Sequence, residues 1–582
     1  MSDKRFLPAL VTFCLTAGLI CLLCLSPVTA DAQQSGEITG RVVTDDGKGA
    51  SRVSVVLYPA GSRQGGVPSS HVALVTTDED GNFRFTDLTP RVYQVSVSQT
   101  KEYVLSPMLD AGEIRQNYYR VGDNVTITLS RGGVITGRVT TPEGDPMVGG
   151  MVSATMLRDA GGNRVRQFTG RPRLTDDRGI YRLYGLAPGV YVVSASAASL
   201  LSPPLPDAKQ VKAYHPSSTA DTATEVTVAS GGEVTGIDIA LRNDRGYAVS
   251  GTVVGSGNPS SPYLVPTVSL VNLATGSSLN RSANRVGNSN GFAFDDVSDG
   301  EYEIVARRGG DNSAEDFASS PRGVTVKGSD ISGIELRLAT LVSISGKVVI
   351  EPSAGLCESK NRFGKEEILL FPRRKEILPQ SSPAPVRDRS YDVGDDGEFT
   401  LSSLEAGTYH IESLLPDENW YLRSITIPSP ATGRGATVAT AGVSLSSGIN
   451  LKSGKPVTGV TLVVAEGAAG LQGRILAEKE GSPLPARLRI HLVPVEPAAA
   501  NDLLRYAETL TRGEGAFEFK NLAPGKYWIT ARAVDDQEGA NRLPVSWDDT
   551  ERARLRTEAE TLKNEVVLKP CQRISGQVVR FN

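Results

Sequence analysis

Residues 515–531, GAFEFKNLAPGKYWITA, decide how this 582-residue chain reads. The stretch is a glycine turn, a short alternating strand, a second turn closed by Gly525, and another alternating strand. Phe517 and Phe519 share one face of the first strand, and Tyr527, Ile529 and Ala531 share one face of the second. Two half-buried strands are not stable alone, so they predict a sheet that packs on another layer.

The pattern occurs four more times, at residues 81–93, 179–191, 291–302 and 397–409. Gly189, Gly300, Gly407 and Gly525 stand two residues before the strand tyrosine, and Arg91 takes that place in the first copy. Glycine suits a turn that needs an unusual φ. A second marker lies upstream of each turn: Gly40-Arg-Val-Val, Gly137-Arg-Val-Thr, Gly251-Thr-Val-Val, Gly346-Lys-Val-Val and Gly473-Arg-Ile-Leu. Each follows an alternating run, such as Val125-Thr-Ile-Thr-Leu129 or Ile334-Glu-Leu-Arg-Leu338, that reads as the last strand of the module before. Spacings of roughly 100–120 residues exceed solenoid periods and suit independent domains. Short strands separated by turns predict an all-β chain of five tandem antiparallel β-sandwich modules, beads on a string.

Sixty glycines and 34 prolines fit such a turn-rich chain, since apolar strands recur throughout. The net charge of −4 is mild and the signs are intermixed, with no basic stripe for a phosphate backbone, so nucleic acid is not an expected partner. Lys4 and Arg5, an apolar run over residues 6–25, and small residues at Ala30 and Ala32 predict a secretory signal over residues 1–32, with an uncleaved membrane anchor as the alternative. No later stretch is apolar enough to span a bilayer as a helix. Three of the five cysteines lie in the leader, and Cys21 and Cys24 lack the small residues expected before a lipidated cysteine. Cys357 and Cys571 sit in or beside different modules, so two unpaired thiols are expected.

Asp80-Gly81-Asn-Phe83 with Leu88-Thr-Pro90, Asp177-Arg-Gly179 with Leu186-Ala-Pro-Gly189-Val-Tyr191, Asp396-Gly397-Glu-Phe399 with Gly407-Thr-Tyr409, and Leu522-Ala-Pro-Gly525-Lys-Tyr527 form a coherent signature. It resembles the carboxypeptidase regulatory-like domain, a transthyretin-like sandwich grouped with carbohydrate-binding-like and collagen-adhesin B-type folds. The third copy departs most, with Asn290-Gly291-Phe292 and Val297-Ser-Asp-Gly300. The resemblance implies accessory, non-catalytic modules in secreted or envelope proteins.

No enzyme chemistry is legible. His71, His215, His410 and His491 fall in different modules and none has metallopeptidase spacing. The letters of Gly287-Asn-Ser289-Asn-Gly291 match a nucleophile elbow, yet they occupy a strand-to-strand turn. Asp78, Asp80, Asp176, Asp177, Asp395 and Asp396 could be fragments of calcium sites, but the third and fifth copies lack these carboxylates, and hairpin-turn chemistry explains all five. No cofactor is expected.

Exposed aromatics are the better lead. With Tyr527 inward, Trp528 points outward, as do Gln94, Val192, Glu303 and His410 in the other copies. Trp528, with Trp420 and Trp547 in irregular stretches, could offer ring faces to a sugar or a protein. The alternative is that the fifth module's own insert covers Trp528. That insert reads as a helix starting at Asp548-Asp-Thr-Glu551, with Leu555, Ala559 and Leu562 on one face and Arg554 and Glu558 spaced to pair. Residues 501–511 give a shorter helical signal, and residues 360–389 read as long, basic loops in the fourth module. Residues 573–579, RISGQVV, look like the first strand of a sixth module; they could also cap the fifth module's edge or pair with another molecule.

The expected organisation is a signal at 1–32; modules at 36–130, 131–242, 243–339, 340–466 and 467–569; and an orphan strand at 570–582. The expected role is exported and non-catalytic, periplasmic, cell-surface or extracellular. Carbohydrate is the leading ligand by family resemblance, with a structural stalk or protein-interaction scaffold as the alternative.

Overall fold

A computed structural model describes residues 36–581 apart from intervening stretches, the longer of which are 62–71, 106–117, 198–211, 256–264, 377–389, 428–442 and 535–543. The leader, His71, Gly287 and the end of the fourth module's insertion lie outside the described residues. The chain forms five β-sandwiches in succession. Each closes its own core, the first around Ile38, Phe85 and Tyr93 and the fifth around Leu471, Phe519 and Tyr527.

The two strands of the opening motif belong to facing sheets, not to one hairpin. Ala516–Leu522 pairs antiparallel with Ala469–Ala477 in a front sheet, while Gly525–Ala533 pairs with Leu488–Pro494 in a back sheet. The phenylalanines and the tyrosine therefore meet across the core, which is why the motif carries both. In the third sandwich the two layers are joined through Phe317–Ser319, which pairs with a strand of each.

The strand tyrosine also ties down the arch between the sheets. Its hydroxyl donates to the carbonyl four residues earlier: Tyr93 to Thr89 at 3.0 Å, Tyr191 to Ala187 at 2.6 Å, Tyr302 to Ser298 at 2.9 Å and Tyr527 to Ala523 at 2.8 Å. The bond pins the arch to the strand and gives its carbonyl a partner within the protein. Just before the arch, each copy places one residue in the left-handed region: Asp87, Gly185, Asp296, Ser403 and Asn521. Pairing with the first strand shifts register there, so this residue forms a bulge.

The front sheets are antiparallel but for one pairing. In every sandwich the first strand runs parallel to the closing strand, as in Gly36–Thr44 with Asn124–Arg131 and Val342–Ile350 with Val457–Glu466. That pairing explains the upstream marker. A Cβ on Gly40, Gly137, Gly251, Gly346 or Gly473 would lie 1.8–2.3 Å from a carbonyl oxygen of the closing strand.

The same pairing corrects the reading of the C-terminus. Arg573–Phe581 is not the start of a sixth module but the closing strand of the fifth sandwich, parallel to Ala469–Ala477. Closing strands share the letters of first strands, as in Val457-Thr-Gly459-Val and Ile331-Ser-Gly333-Ile. Their glycine differs in role: Gly333, Gly459 and Gly576 have φ of 73–76°.

Two further readings are corrected. Within 360–389, Leu369–Arg374 is a strand at the centre of the fourth back sheet, not a loop. Within 501–511, only the turn Leu503–Arg505 is helical, and Ala507–Leu510 is a strand. The helix after Asp548 does form, as Asp549–Leu562 (α1), and Asp548 caps it by accepting from Thr550 and Glu551 N–H at 2.9 Å each. Leu555 and Ala559 are buried, but Leu562 is exposed, and Glu558 pairs with Arg532 rather than Arg554.

The marker's role is testable by thermal unfolding. Gly346→Ala, whose Cβ would meet Val460 O at 1.8 Å, should destabilise the fourth sandwich by about 2 kcal/mol or more. Gly323→Ala, which meets nothing within 4 Å, should change stability by less than about 0.5 kcal/mol. Equal effects would show that close strand approach is not what the marker serves.

Candidate interaction surfaces

The position after each strand tyrosine points out of its sandwich, and four of the five are covered, Trp528 by the fifth module's own insert. Val192 is buried with Tyr214 and Ala220. Glu303 is 1 % exposed, His410 8 % and Trp528 9 %; Gln94 is half-buried. The outward faces of the back sheets are therefore packed surfaces.

What covers them differs. In the fifth sandwich α1 lies across the sheet, and Trp528, Val493, Leu555 and Ala559 form a second small core. Arg556 adds its guanidinium 5.3 Å from the Trp528 ring. In the fourth, Trp547, from the turn before α1, stacks on His410 with ring centroids 4.3 Å apart. Trp420 is buried in the fourth core, edge-on to Phe363 at 5.5 Å. The three tryptophans are thus placed in three separate packing sites, each under 10 % exposed, and do not form one outward patch.

The first and fourth back sheets cover each other, so the chain is not a string of separate beads. Ala60 and Val92 of the first pack against Leu369 and Phe371 of the fourth, and Tyr118 meets Phe371 edge-on at 5.7 Å. Polar contacts rim the patch: Arg91 to Asp392 at 3.0 Å, Arg120 to Glu367 at 3.6 Å, and Gly61 N–H to Ser390 Oγ at 3.2 Å. Residues near 369 carry no periodic signal because Pro372, Arg373 and Arg374 interrupt the apolar run.

Sequential junctions are short. One residue, Gly132, separates the closing strand of the first sandwich from the next strand, and Leu341 alone does so between the third and fourth. The bulge residue then reaches across. Ser403 donates to Asp316, and Asn521 Nδ2 donates to Asp417 O at 2.8 Å and Trp420 O at 2.7 Å. Glu405 pairs with Arg307 of the third sandwich and Arg374 of its own.

The fourth and fifth sandwiches are also joined covalently. Cys357 and Cys571 form a disulfide with Cα atoms 5.4 Å apart, not two free thiols. The expectation failed because the turn after Leu568 brings Cys571 back to the junction, where its N–H donates to Gly467 O. Arg573 adds bonds to Ala468 O, Glu418 O and Asn419 Oδ1. A cleft of about 240 Å³ remains here, lined by Tyr421, Arg423, Asp502 and Arg505.

The turn carboxylates spend their oxygens on their own turns. Asp78 accepts from the backbone of Asp80 and Asn82 and from the Asn82 side chain, which hold it below the usual carboxylate range, the Asn82 side chain most. Asp176 does the same with Ile180 and Arg178, and its carboxyl is likewise lowered. Asp395 and Asp396 accept from Asp396 and Glu398 N–H. Among the described residues no three His, Cys, Asp or Glu are grouped to hold a metal ion. Ser289 opens the strand Ser289–Val297, which pairs with Asn284–Val286.

No family model matches this chain, and no curated protein matches it. Solved structures do. The TIE protein of Bacillus anthracis matches at 14 % identity over 52 % of this chain and 50 % of its own, with a TM-score of 0.14, so the chain corresponds to about half of that protein. GBS52, the minor pilin of Streptococcus agalactiae, matches at 15 % identity over 35 % of this chain and 95 % of its own, TM-score 0.20. BcpA, the major pilin of Bacillus cereus, matches at 10 % identity over 52 % and 99 %, TM-score 0.14.

The His410–Trp547 contact gives a pH prediction. Burial first, then Lys375 and Arg552, push His410 down to about 4, against a favourable contribution from Glu376. The neutral ring is the form that packs. Its stabilising effect is therefore full above the ordinary histidine pKa near 6.5, and is lost as pH falls through about 4. An NMR titration should find His410 near 4 in the intact chain and closer to 6.5 in Trp547→Ala. A value near 6.5 in both would show that the ring is not desolvated at this junction.

Proposed function

We propose that this chain is an exported, non-catalytic scaffold whose five sandwiches act as one stiff unit that presents surfaces to protein partners. The observation that carries the reading is the use of the back-sheet faces: the chain buries them against itself, from Val92 on Phe371 to Trp528 under α1. Faces used this way give rigidity and are withdrawn from ligand binding. Three of the four junctions are one or two residues long, and a disulfide crosses the last of them, which leaves little freedom for relative motion there.

Export is supported by the leader in the sequence and by the disulfide, a bond that persists in oxidising compartments. The named pilins among the similar folds are a likeness of architecture only. A carbohydrate site of the family type would need an open aromatic face, and Trp420, Trp528 and Trp547 are each packed. The carboxypeptidase regulatory-like signature is accounted for by the bulge and the tyrosine arch, both devices of folding.

Small-angle scattering on the mature chain tests the reading. A stiff unit gives one maximum dimension that is unchanged between low and high salt. Phe371→Asp, which places a charge in the contact between first and fourth sandwiches, should enlarge it. A flexible-chain profile for the unmutated protein, or binding on a glycan array that Trp528→Ala abolishes, would reject the scaffold reading. Separately, Cys357→Ser should lower the unfolding free energy of the joined fourth and fifth sandwiches by about 2–4 kcal/mol under oxidising conditions and leave reduced protein unchanged.

A further inference from the structure

The closing strand of the fifth sandwich differs from its counterparts at one edge. In the first sandwich Tyr103–Leu105 pairs antiparallel along the closing strand; in the third Phe317–Ser319 does so; in the fourth Trp420–Ile427 does so. Each of those segments follows the tyrosine strand in sequence. In the second, the segment after Tyr214 lies there, with Pro216 O accepting from Ala240 N–H. In the fifth, the next described element after the tyrosine strand is the turn Val545–Trp547 that leads into α1 on the opposite sheet, and among the described residues Arg573–Phe581 pairs only with Ala469–Ala477.

We infer that this edge is a docking site for an extended segment of a protein partner, which adds to the front sheet as an antiparallel strand. The backbone geometry is right for it. Phe581 O accepts from Glu478 N–H, so its peptide groups face the first strand. By alternation those of Val578 and Arg580 face away, toward the side on which no described strand pairs. The side chains agree. Aligned on the bulge glycines Gly459 and Gly576, the fourth sandwich's Val460, Leu462 and Val464 are each at most 1 % exposed beneath their covering strand. Of their three counterparts Val579 is buried at 3 %, but Gln577 and Phe581 are only half-buried, and Val578, on the other face, is 52 % exposed.

The fourth sandwich also supplies the register and hence the chemistry of the occupant. There Leu422 faces Val464, Ser424 faces Val463 and Ile425 faces Leu462. Transposed, an apolar residue faces Phe581, an outward residue faces the exposed Arg580, and a second apolar residue faces Val579. An acidic residue suits the place opposite Arg580. The partner is therefore an extended segment of alternating apolar residues with an acidic residue on its outward face. This site stands on the fifth sandwich alone, so its failure would leave the stiff-unit reading intact.

The test uses the full mature chain and a synthetic peptide with the sequence of residues 420–427, WYLRSITI, carrying a soluble tail. In the free chain the amides of Val578 and Arg580 should exchange with solvent quickly and that of Val579 slowly. The peptide should slow Val578 and Arg580, and its Ser424→Glu version should bind roughly two- to fivefold tighter. Val578→Pro removes an outward N–H that an edge strand does not need, so binding should vanish with the melting temperature unchanged. Should that variant not fold, Arg580→Pro serves the same purpose. Slow exchange at Val578 and Arg580 without peptide, no binding to the unmutated chain, or equal binding to the folded proline variant would each overturn the proposal.

Discussion

Burial of the outward faces of the back sheets is the constraint on which the arrangement of the five sandwiches depends. A two-layer sandwich hides two of its four sheet faces in its core and leaves two to be wetted or covered. The front-sheet faces are built for water, with exposed pairs such as Arg84 with Glu37, Arg182 with Glu233 and Arg337 with Glu335. The back-sheet faces carry Val92, Val192, Phe371 and Trp528, which are not. Each of these gains roughly 1.5–3 kcal/mol by leaving water, so a chain that covers them holds its sandwiches in place by the same effect that forms their cores.

That one requirement is met by unlike means. The fifth sandwich grows a capped helix, the second uses the stretch around Tyr214 and Ala220, and the first and fourth use each other. In the fourth and fifth sandwiches the bulge before the arch adds direction to this. It lets the front sheet turn a side chain toward the preceding sandwich, so a feature required for the fold of one module also fixes its neighbour: Ser403 on Asp316, Asn521 on Asp417 and Trp420. Short junctions alone would limit motion; these contacts choose one orientation.

Much of the internal fold was legible in the sequence, because it is written in residues that only one geometry accepts. The marker glycines are there for close strand approach, and the tyrosines for a carbonyl that needs a donor. The relation between sandwiches was not legible. The contact of Val92 with Phe371 joins positions far apart in sequence, and an outward-facing valine or tryptophan looks the same whether a ligand, a helix or another sandwich covers it. Cys357 and Cys571 were misjudged for the same reason, since their proximity depends on where the closing strand begins. The closing strand itself was misplaced because Ile-Ser-Gly and Val-Thr-Gly serve both as a first strand with close approach and as a closing strand with a left-handed glycine. Local pattern fixed strand and face but not partner.

The most direct measurement is the distance between spin labels placed on the front sheets of the first and fourth sandwiches, at the exposed positions Thr86 and Thr400, in the otherwise unmodified chain. If the back sheets of these two sandwiches are held together, the distribution is single and narrow, and it broadens on Phe371→Asp. A broad distribution in the unmutated protein, extending to the separations of a loosely jointed chain, would contradict the account.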